Sequence, residues 1–360
     1  MSLSTEKNHV VLIDTAKGIG IILIVFGHSW IVAQSPGELF RIIYSVHIPL
    51  FLLLSGVFHN PNIPILTILK SKADSLLKPY FVTLLLFAIC FLIITSNGNA
   101  FLITIFKIVY GSPEVQAWIP LWYLPHLFLI TIFSTLILKL KFFNESTLVI
   151  RILLLALLIF IGTYTIRTFW LISFTWNLQK VRHIGLPFSA DILLVTSSYF
   201  LTGYFLREHV KEFKKSYLLM FACLSIFVAI FLLTNLTTDL HRRRYGDPIL
   251  STLWAFSGIY LILCASSVIA NYPIPAKVFS YLGKNSLFIL LFHMLFQNIA
   301  FRVANELSER KFYNSIFAFI VALSLSMLLG EIIRRIEFLR ILYLPFKKPR
   351  QPDTLGAYPL

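Results

Sequence analysis

Long apolar segments follow one another along almost the whole chain and are separated by short polar stretches. A segment of about 17–25 apolar residues is long enough to cross the hydrocarbon core of a membrane as one α-helix. Such segments lie at residues 11–34, 39–58, 79–96, 119–138, 147–166, 189–206, 217–235, 249–270, 284–301 and 314–333. The pattern predicts an all-α fold, a polytopic transmembrane helix bundle of about ten spanning helices. A shorter apolar stretch, residues 101–111, is expected to lie at the membrane interface.

The composition excludes an ordinary soluble domain. Of the 360 residues, 58% are hydrophobic and 13% are charged, whereas soluble domains are about half apolar and about a quarter charged. The first apolar segment lacks a small-residue cleavage site after it, so we expect it to stay as the first membrane helix.

The net charge of +15 comes from Lys and Arg residues in the polar stretches between the apolar segments. These basic residues are more numerous in the stretches that share a side with both termini. The positive-inside rule therefore places both termini in the cytoplasm. We expect an integral membrane domain at residues 1–340 and a short cytoplasmic tail at residues 341–360. The charge reflects topology, and no nucleic-acid partner is expected.

Three ionisable side chains interrupt the first apolar segment, IDTAKGIGIILIVFGHS (residues 13–29). Lys17 and His28 are eleven positions apart, which puts them on one face of a helix and about 16 Å apart along its axis. Asp14 precedes Lys17 by one turn, where an ion pair can form. Ionisable groups are costly inside a membrane, so a functional site is the default hypothesis. The alternative is structural: Lys17 reaches the headgroups, and His28 is a hydrogen-bonded core residue.

Three further histidines fall at a membrane depth similar to that of His28. They are His47 in the second segment, His126 in the fourth and His293 in the ninth. A single buried histidine is more often a hydrogen-bonded core residue than a catalytic one, but four in one layer favour a site. No helix offers two metal ligands at the usual spacing, and the three cysteines lie singly in apolar runs, so no metal is expected.

Two further features of the sequence are a pair of small residues in the second apolar segment and two basic loops. Ser55 and Gly56 permit close approach of a helix or a ligand, and helix packing is the favoured reading. Two outer loops are basic, and the pattern leaves open whether they are solvated or bind an anionic acceptor. Their charged residues are Arg167, Lys180, Arg182 and His183 in one loop, and His241–Arg244 in the other.

The first segment resembles the first-helix signature of the acyltransferase-3 superfamily of membrane-bound acyltransferases, in which a basic residue and a histidine are separated by ten residues. Later stretches of the chain resemble other segments of that family: HIPLFLLLSGVF, LWYLPHLFL, LPFSADILLVTSSYFLTGYFLR and LGKNSLFILLFHMLF. Within it, the chain looks most similar to the fucose-4-O-acetylase-like sugar O-acetyltransferases. The basic position is usually Arg in that family. Here it is Lys17, which lacks the bidentate fork of Arg.

The resemblance implies an enzyme of the cell inner membrane that moves an acyl group, most simply acetyl, from acyl-CoA to a hydroxyl of an envelope glycan, an exopolysaccharide or a lipid-linked sugar. Lys17 would contact the phosphates of coenzyme A, Asp14 would hold Lys17, and His28 would act as general base or carry the acyl group covalently. The residues expected to bind the substrates are His47, Ser55, Trp122, Tyr123, His126 and His293. The expected partners are acetyl-CoA as co-substrate, a glycan acceptor and membrane lipids.

A transporter or flippase for a lipid-linked saccharide is the alternative interpretation. It accounts for the polar midplane and for the basic outer loops. It also predicts discontinuous helices and two related halves, and the sequence has no visible internal symmetry.

Overall fold

A computed structural model of the chain describes residues 3–33, 37–112, 118–169, 173–176, 179–182 and 185–346. The α-helices are α1 (Leu3–Gly27), α2 (Trp30–Ala33), α3 (Glu38–Val57), α4 (Ile65–Lys72), α5 (Lys78–Thr95), α6 (Gly98–Tyr110), α7 (Tyr123–Lys139), α8 (Lys141–Asn144), α9 (Leu148–Phe169), α10 (Leu193–Phe205), α11 (Arg207–Lys211), α12 (Tyr217–Leu233), α13 (Pro248–Ile269), α14 (Pro273–Lys284), α15 (Ser286–Leu307), α16 (Lys311–Arg335) and α17 (Glu337–Tyr343). The described strands are β1 (Ser173–Trp176), β2 (Gln179–Arg182), β3 (Thr238–Asp239) and β4 (Arg244–Tyr245).

The all-α membrane fold that the sequence predicts is confirmed. In the described part of the chain, seven helical stretches are long and apolar enough to cross a membrane: Glu38–Val57, Ile65–Thr95, Ile119–Lys139, Leu148–Phe169, Pro248–Ile269, Ser286–Leu307 and Lys311–Arg335. Each of the ten predicted segments contains a helix. The number of spans and the side on which the termini lie stay predictions. Two antiparallel hairpins, β1–β2 and β3–β4, were not expected and lie in loops between helices.

The first predicted segment is interrupted where a continuous helix was expected. The helix α1 ends at Gly27. The amide of His28 still bonds to the carbonyl of Ile24 at 3.1 Å, but the amide of Ser29 reaches Phe26 at 2.9 Å in a tighter turn. The carbonyl of Ser29 then starts α2. His28 therefore lies at the break after α1 and not inside a helix.

Backbone contact between α1 and α14 fixes the position of the first helix. A Cβ atom added to Gly18 would overlap the carbonyl oxygen of Phe279, and one added to Gly283 would overlap the carbonyl oxygen of Asp14. Such close approach is typical of small residues between membrane helices. It brings the C-terminal end of α14 beside the first turns of the apolar part of α1.

A second glycine pair joins α3 to α10. A Cβ atom on Gly56 would overlap the carbonyl oxygen of Phe200, and one on Gly203 would overlap that of Leu53. The packing role predicted for Gly56 is confirmed. The neighbouring Ser55 points elsewhere, because it lines a cavity between α3 and other helices.

Candidate active site

A cavity of about 190 Å³ lies inside the bundle. Its wall comes from α1 and the turn after it, α3, the π-helical turn at residues 73–77, the 3-10 turn at residues 119–122, the start of α7 and the start of α15. The lining residues are Lys17, Ile21, Ile24, His28, His47, Ile48, Phe51, Ser55, Leu76, Pro120, Trp122, Tyr123, Leu124, Leu127, Ser286, Leu287 and Leu290. Six of the predicted site residues are among them.

One stripe of residues on α1, continued by His28 directly after the helix, lines the cavity. Lys17, Ile21, Ile24 and His28 follow one another at steps of four, three and four residues, and all four line the cavity. The eleven-residue spacing between Lys17 and His28 predicts this shared face. A cation and an imidazole therefore lie at the two ends of an otherwise apolar wall.

The expected ion pair between Asp14 and Lys17 does not form. The carboxylate of Asp14 pairs with Lys284 Nζ at 3.8 Å, because the contact of Gly283 with Asp14 brings Lys284 to α1. Lys17 remains close enough for electrostatic attraction to Asp14, but its Nζ lies 5.2 Å from the centre of the Phe58 ring. In the described part of the chain, no carboxylate lies within 4 Å of Lys17.

Three imidazoles and one phenol gather at the other end of the cavity. The ring centre of His28 is 5.6 Å from that of His293 and 6.4 Å from that of Tyr44. Tyr44 in turn lies edge-on to His47, with 4.8 Å between ring centres. Tyr44 was missed by the sequence analysis, although its position one turn before His47 places it on the same face of α3.

The hydrogen bonds of His47 and His293 define their tautomers. His47 Nδ1 is 2.8 Å from the carbonyl oxygen of Ile43, and His293 Nδ1 is 2.7 Å from that of Ile289. A carbonyl oxygen only accepts, so we assign the proton to Nδ1 in both neutral rings. Each Nε2 then carries a lone pair. His47 lines the cavity with His28, whereas His293 is fully buried outside the lining.

Two hydroxyl groups line the middle of the cavity. The hydroxyl of Tyr123 is buried and lies near that of Ser55, but it has no hydrogen bond of normal geometry to a described residue. The Ser55 hydroxyl donates to the carbonyl of Phe51 at 2.7 Å. Trp122 lines the same wall and is 3% exposed. Tyr123 therefore offers an unused O–H donor to whatever occupies the cavity.

The structure places His126 outside the cavity lining. Its Nδ1 is 3.0 Å from the carbonyl oxygen of Phe188, and its Nε2 is 3.0 Å from Thr196 Oγ1. With both ring nitrogens engaged, His126 joins α7 to α10 and to the turn before α10. The substrate-binding role expected from its depth stays a prediction.

The basic loop at residues 241–244 is only partly a solvated surface. Arg243 forms a bidentate pair with Asp191, with 2.7 Å between Nε and Oδ2 and 3.1 Å between Nη2 and Oδ1, and both side chains are fully buried. Arg243 is therefore a structural residue, while Arg242 and Arg244 are exposed. Of the other predicted loop, Arg167 is exposed, and His183 lies outside the described residues.

The same loop brings a further histidine near the His28 end of the cavity. His241 lies close enough to His28 to interact with it electrostatically. Burial, together with Arg243 and Arg242, lowers the pKa of His241 to about 3. Burial also raises the pKa of Asp239, which accepts a bond from the Arg242 amide at 3.1 Å. His241 is therefore neutral at neutral pH.

The site therefore offers an anion-binding group on α1 and a proton acceptor directly after the end of that helix, both facing one cavity. Residues 10–334 match the family described as an acyltransferase domain, Acyl_transf_3. The chain belongs to the acyltransferase-3 family and is a multi-pass membrane acyltransferase. The transporter alternative is not favoured by this match. Searches of curated proteins and of solved structures found no significant match.

Proposed function

We propose that the protein transfers an acetyl group from acetyl-CoA to a hydroxyl of an envelope glycan or a lipid-linked sugar at the cell inner membrane. The family supports acyl transfer in general. The observation that supports the finer proposal is the cavity with Lys17 at one end and His28 at the other. Its apolar wall suits a linear thioester arm between a phosphate-bearing head and a reacting carbonyl.

Lys17 is the proposed contact for the phosphates of the donor. It lines the cavity, and in the described chain its charge is not used by a carboxylate within 4 Å. Lys72 lies near enough to repel Lys17 electrostatically, so two ammonium groups share this end. A phosphate offsets that repulsion, although an ammonium binds it as a point charge and not in a bidentate manner.

His28 is the proposed general base. The acceptor hydroxyl attacks the thioester carbonyl while His28 takes the hydroxyl proton. The carbon–sulfur bond then breaks, the new ester keeps the acetyl group, and the proton passes from His28 to the departing thiolate of coenzyme A. The unpartnered hydroxyl of Tyr123 is the proposed donor to the oxyanion that forms during attack. An acetyl-His28 intermediate is the covalent variant of the same site.

A binding and turnover assay in nanodiscs tests this proposal. Radiolabelled acetyl-CoA measures donor binding, and a panel of p-nitrophenyl glycosides serves as surrogate acceptors with the product detected by mass spectrometry. Lys17→Ala should weaken donor binding, whereas His28→Ala should keep binding and lose transfer. Lys277→Ala is the matched control, since Lys277 is exposed and lies outside the cavity lining.

Acetyl transfer that persists in folded His28→Ala would contradict the proposed base. Failure of folded wild-type protein to bind acetyl-CoA would contradict the proposed donor. Both outcomes leave the family assignment intact, because that assignment rests on the sequence match.

A further inference from the structure

His293 has a hydrogen-bond acceptor that nothing in the described structure uses. Its Nδ1–H donates to the carbonyl of Ile289, so the lone pair is on Nε2. This Nε2 is buried and has no hydrogen-bond partner among the described residues. A buried acceptor without a donor is costly, so a donor is expected beside it.

His28 is the neighbour that can supply this donor. The ring centres of His28 and His293 are 5.6 Å apart. No hydrogen bond joins the two rings in this structure. Because each ring nitrogen lies roughly 1.2 Å from its ring centre, a rotation of the His28 ring that turns a nitrogen towards Nε2 of His293 brings the two atoms to roughly 3.2 Å, which is a hydrogen-bond distance. His28 also follows the end of α1, so its ring is not held by a carbonyl one turn earlier as the rings of His47 and His293 are.

We propose that His293 is a positioning residue that accepts an N–H from His28 and thereby fixes the tautomer of His28. The other nitrogen of His28 then keeps its lone pair towards the cavity, where a general base needs it. This role rests on the proposed function, since it assigns His293 to the base of that reaction. His293 itself does not line the cavity.

The surroundings favour His293 over the other acceptors near His28. His47 also has a lone pair on Nε2, but its ring lines the cavity, and Tyr44 has ring contacts with both His28 and His47. The neighbour of His293 one turn on, Gln297, donates to the carbonyl of Val25 at 3.3 Å. This bond joins α15 to the last turn of α1, directly before His28.

Three substitutions separate a positioning role from a packing role. Gln places its side-chain oxygen near the position of Nε2, Asn places it near Nδ1, and Phe keeps the ring but has no acceptor. We expect His293→Phe and His293→Asn to lower kcat about 100-fold, with KM for acetyl-CoA unchanged, and His293→Gln to recover most of kcat. Equal loss in all three variants, or a change in KM alone, would overturn the proposal.

A second measurement does not depend on activity. Nitrogen-15 spectra of histidine-labelled protein in nanodiscs distinguish the two neutral tautomers, and His28→Gln identifies the signals of His28. A single His28 tautomer in wild type that becomes a mixture in His293→Phe supports the proposal. A mixture already present in wild type, or a single tautomer that survives in His293→Phe, would overturn it. If the wild-type protein shows a single His28 tautomer that depends on His293 but transfers no acetyl group, the proposed function is wrong, whereas the interaction between His293 and His28 is still supported.

Discussion

The carboxylate of Asp14 pairs with Lys284 across the α1–α14 contact and leaves Lys17 without a carboxylate within 4 Å in the described chain. The two lysines therefore have different surroundings, although both are near Asp14. Lys284 is 59% exposed at a helix surface, whereas Lys17 lines the cavity. Lys17 is therefore the lysine that is available to an anionic ligand.

Lys17→Arg tests this difference directly. An Arg side chain can bind phosphate in a bidentate manner and keeps its charge under all conditions. We expect KM for acetyl-CoA to stay within about threefold of wild type, whereas Lys17→Met raises it about 10- to 100-fold, as loss of a charge-assisted contact predicts. Steady-state kinetics in nanodiscs measure both. An unchanged KM in Lys17→Met would remove Lys17 from the donor site.

The glycine contact between α3 and α10 predicts a large effect of a small substitution. Gly56→Ala places a methyl group where the carbonyl of Phe200 lies, so the backbones must separate, at a cost of about 1–3 kcal/mol for an overpacked site. Gly98→Ala is the matched control, because a Cβ atom there meets nothing within 4 Å. Thermal unfolding should show a lower midpoint for Gly56→Ala and an equal or higher one for Gly98→Ala. Equal midpoints would mean that α3 and α10 can move apart without loss of stability.

The buried pair of Arg243 and Asp191 predicts non-additive losses. Removing one partner leaves an uncompensated buried charge, which costs about 3–5 kcal/mol. We therefore expect Arg243→Met and Asp191→Asn each to destabilise the fold strongly, and the double variant to lose less than the sum. Arg244→Ala, an exposed neighbour, should behave as wild type. Strictly additive losses in a double-mutant cycle of unfolding midpoints would contradict the coupling.

His241 predicts a pH dependence of stability. Its pKa falls from 6.5 to about 3 on folding, so the unfolded chain binds a proton at a higher pH than the folded protein does. Above pH 6.5 His241 is neutral in both states, and its contribution to stability is complete. As the pH falls from 6.5 towards 3, the unfolded chain gains a proton that the folded protein does not, so the free energy of unfolding decreases by at most about 1.4 kcal/mol per pH unit. His241→Gln removes this contribution to the slope of the free energy of unfolding against pH between pH 6.5 and 4. Identical slopes for wild type and His241→Gln would show that the folded protein protonates His241 as readily as the unfolded chain.

Much of the fold follows from the sequence, because membrane helices satisfy their backbone hydrogen bonds internally and need only an apolar run. The stripe from Lys17 to His28 also follows from helical periodicity alone. The break after Gly27 does not, since it depends on a single tighter turn at Ser29. The side chains inside the bundle depend on which helices meet, and no local pattern reports that.

Two site residues illustrate this limit. His126 was expected at a depth compatible with the other histidines, but its hydrogen bonds to Phe188 and Thr196 depend on how α10 and its preceding turn pack on α7. Asp14 was expected to pair with the lysine one turn away, but the approach of Gly283 brings in Lys284 instead. In both cases a contact distant in sequence overrides the local geometry.

The length of the apolar wall between Lys17 and His28 has an electrical consequence. In the proposed reaction the phosphates stay at Lys17, and only a neutral thioester arm extends past Ile21 and Ile24 towards His28. Carrying a single elementary charge across the membrane against 100 mV takes about 2.3 kcal/mol. Because no charged group travels along this wall, the membrane voltage does no work on the acyl group, and the transfer rate should be the same in polarised and depolarised vesicles.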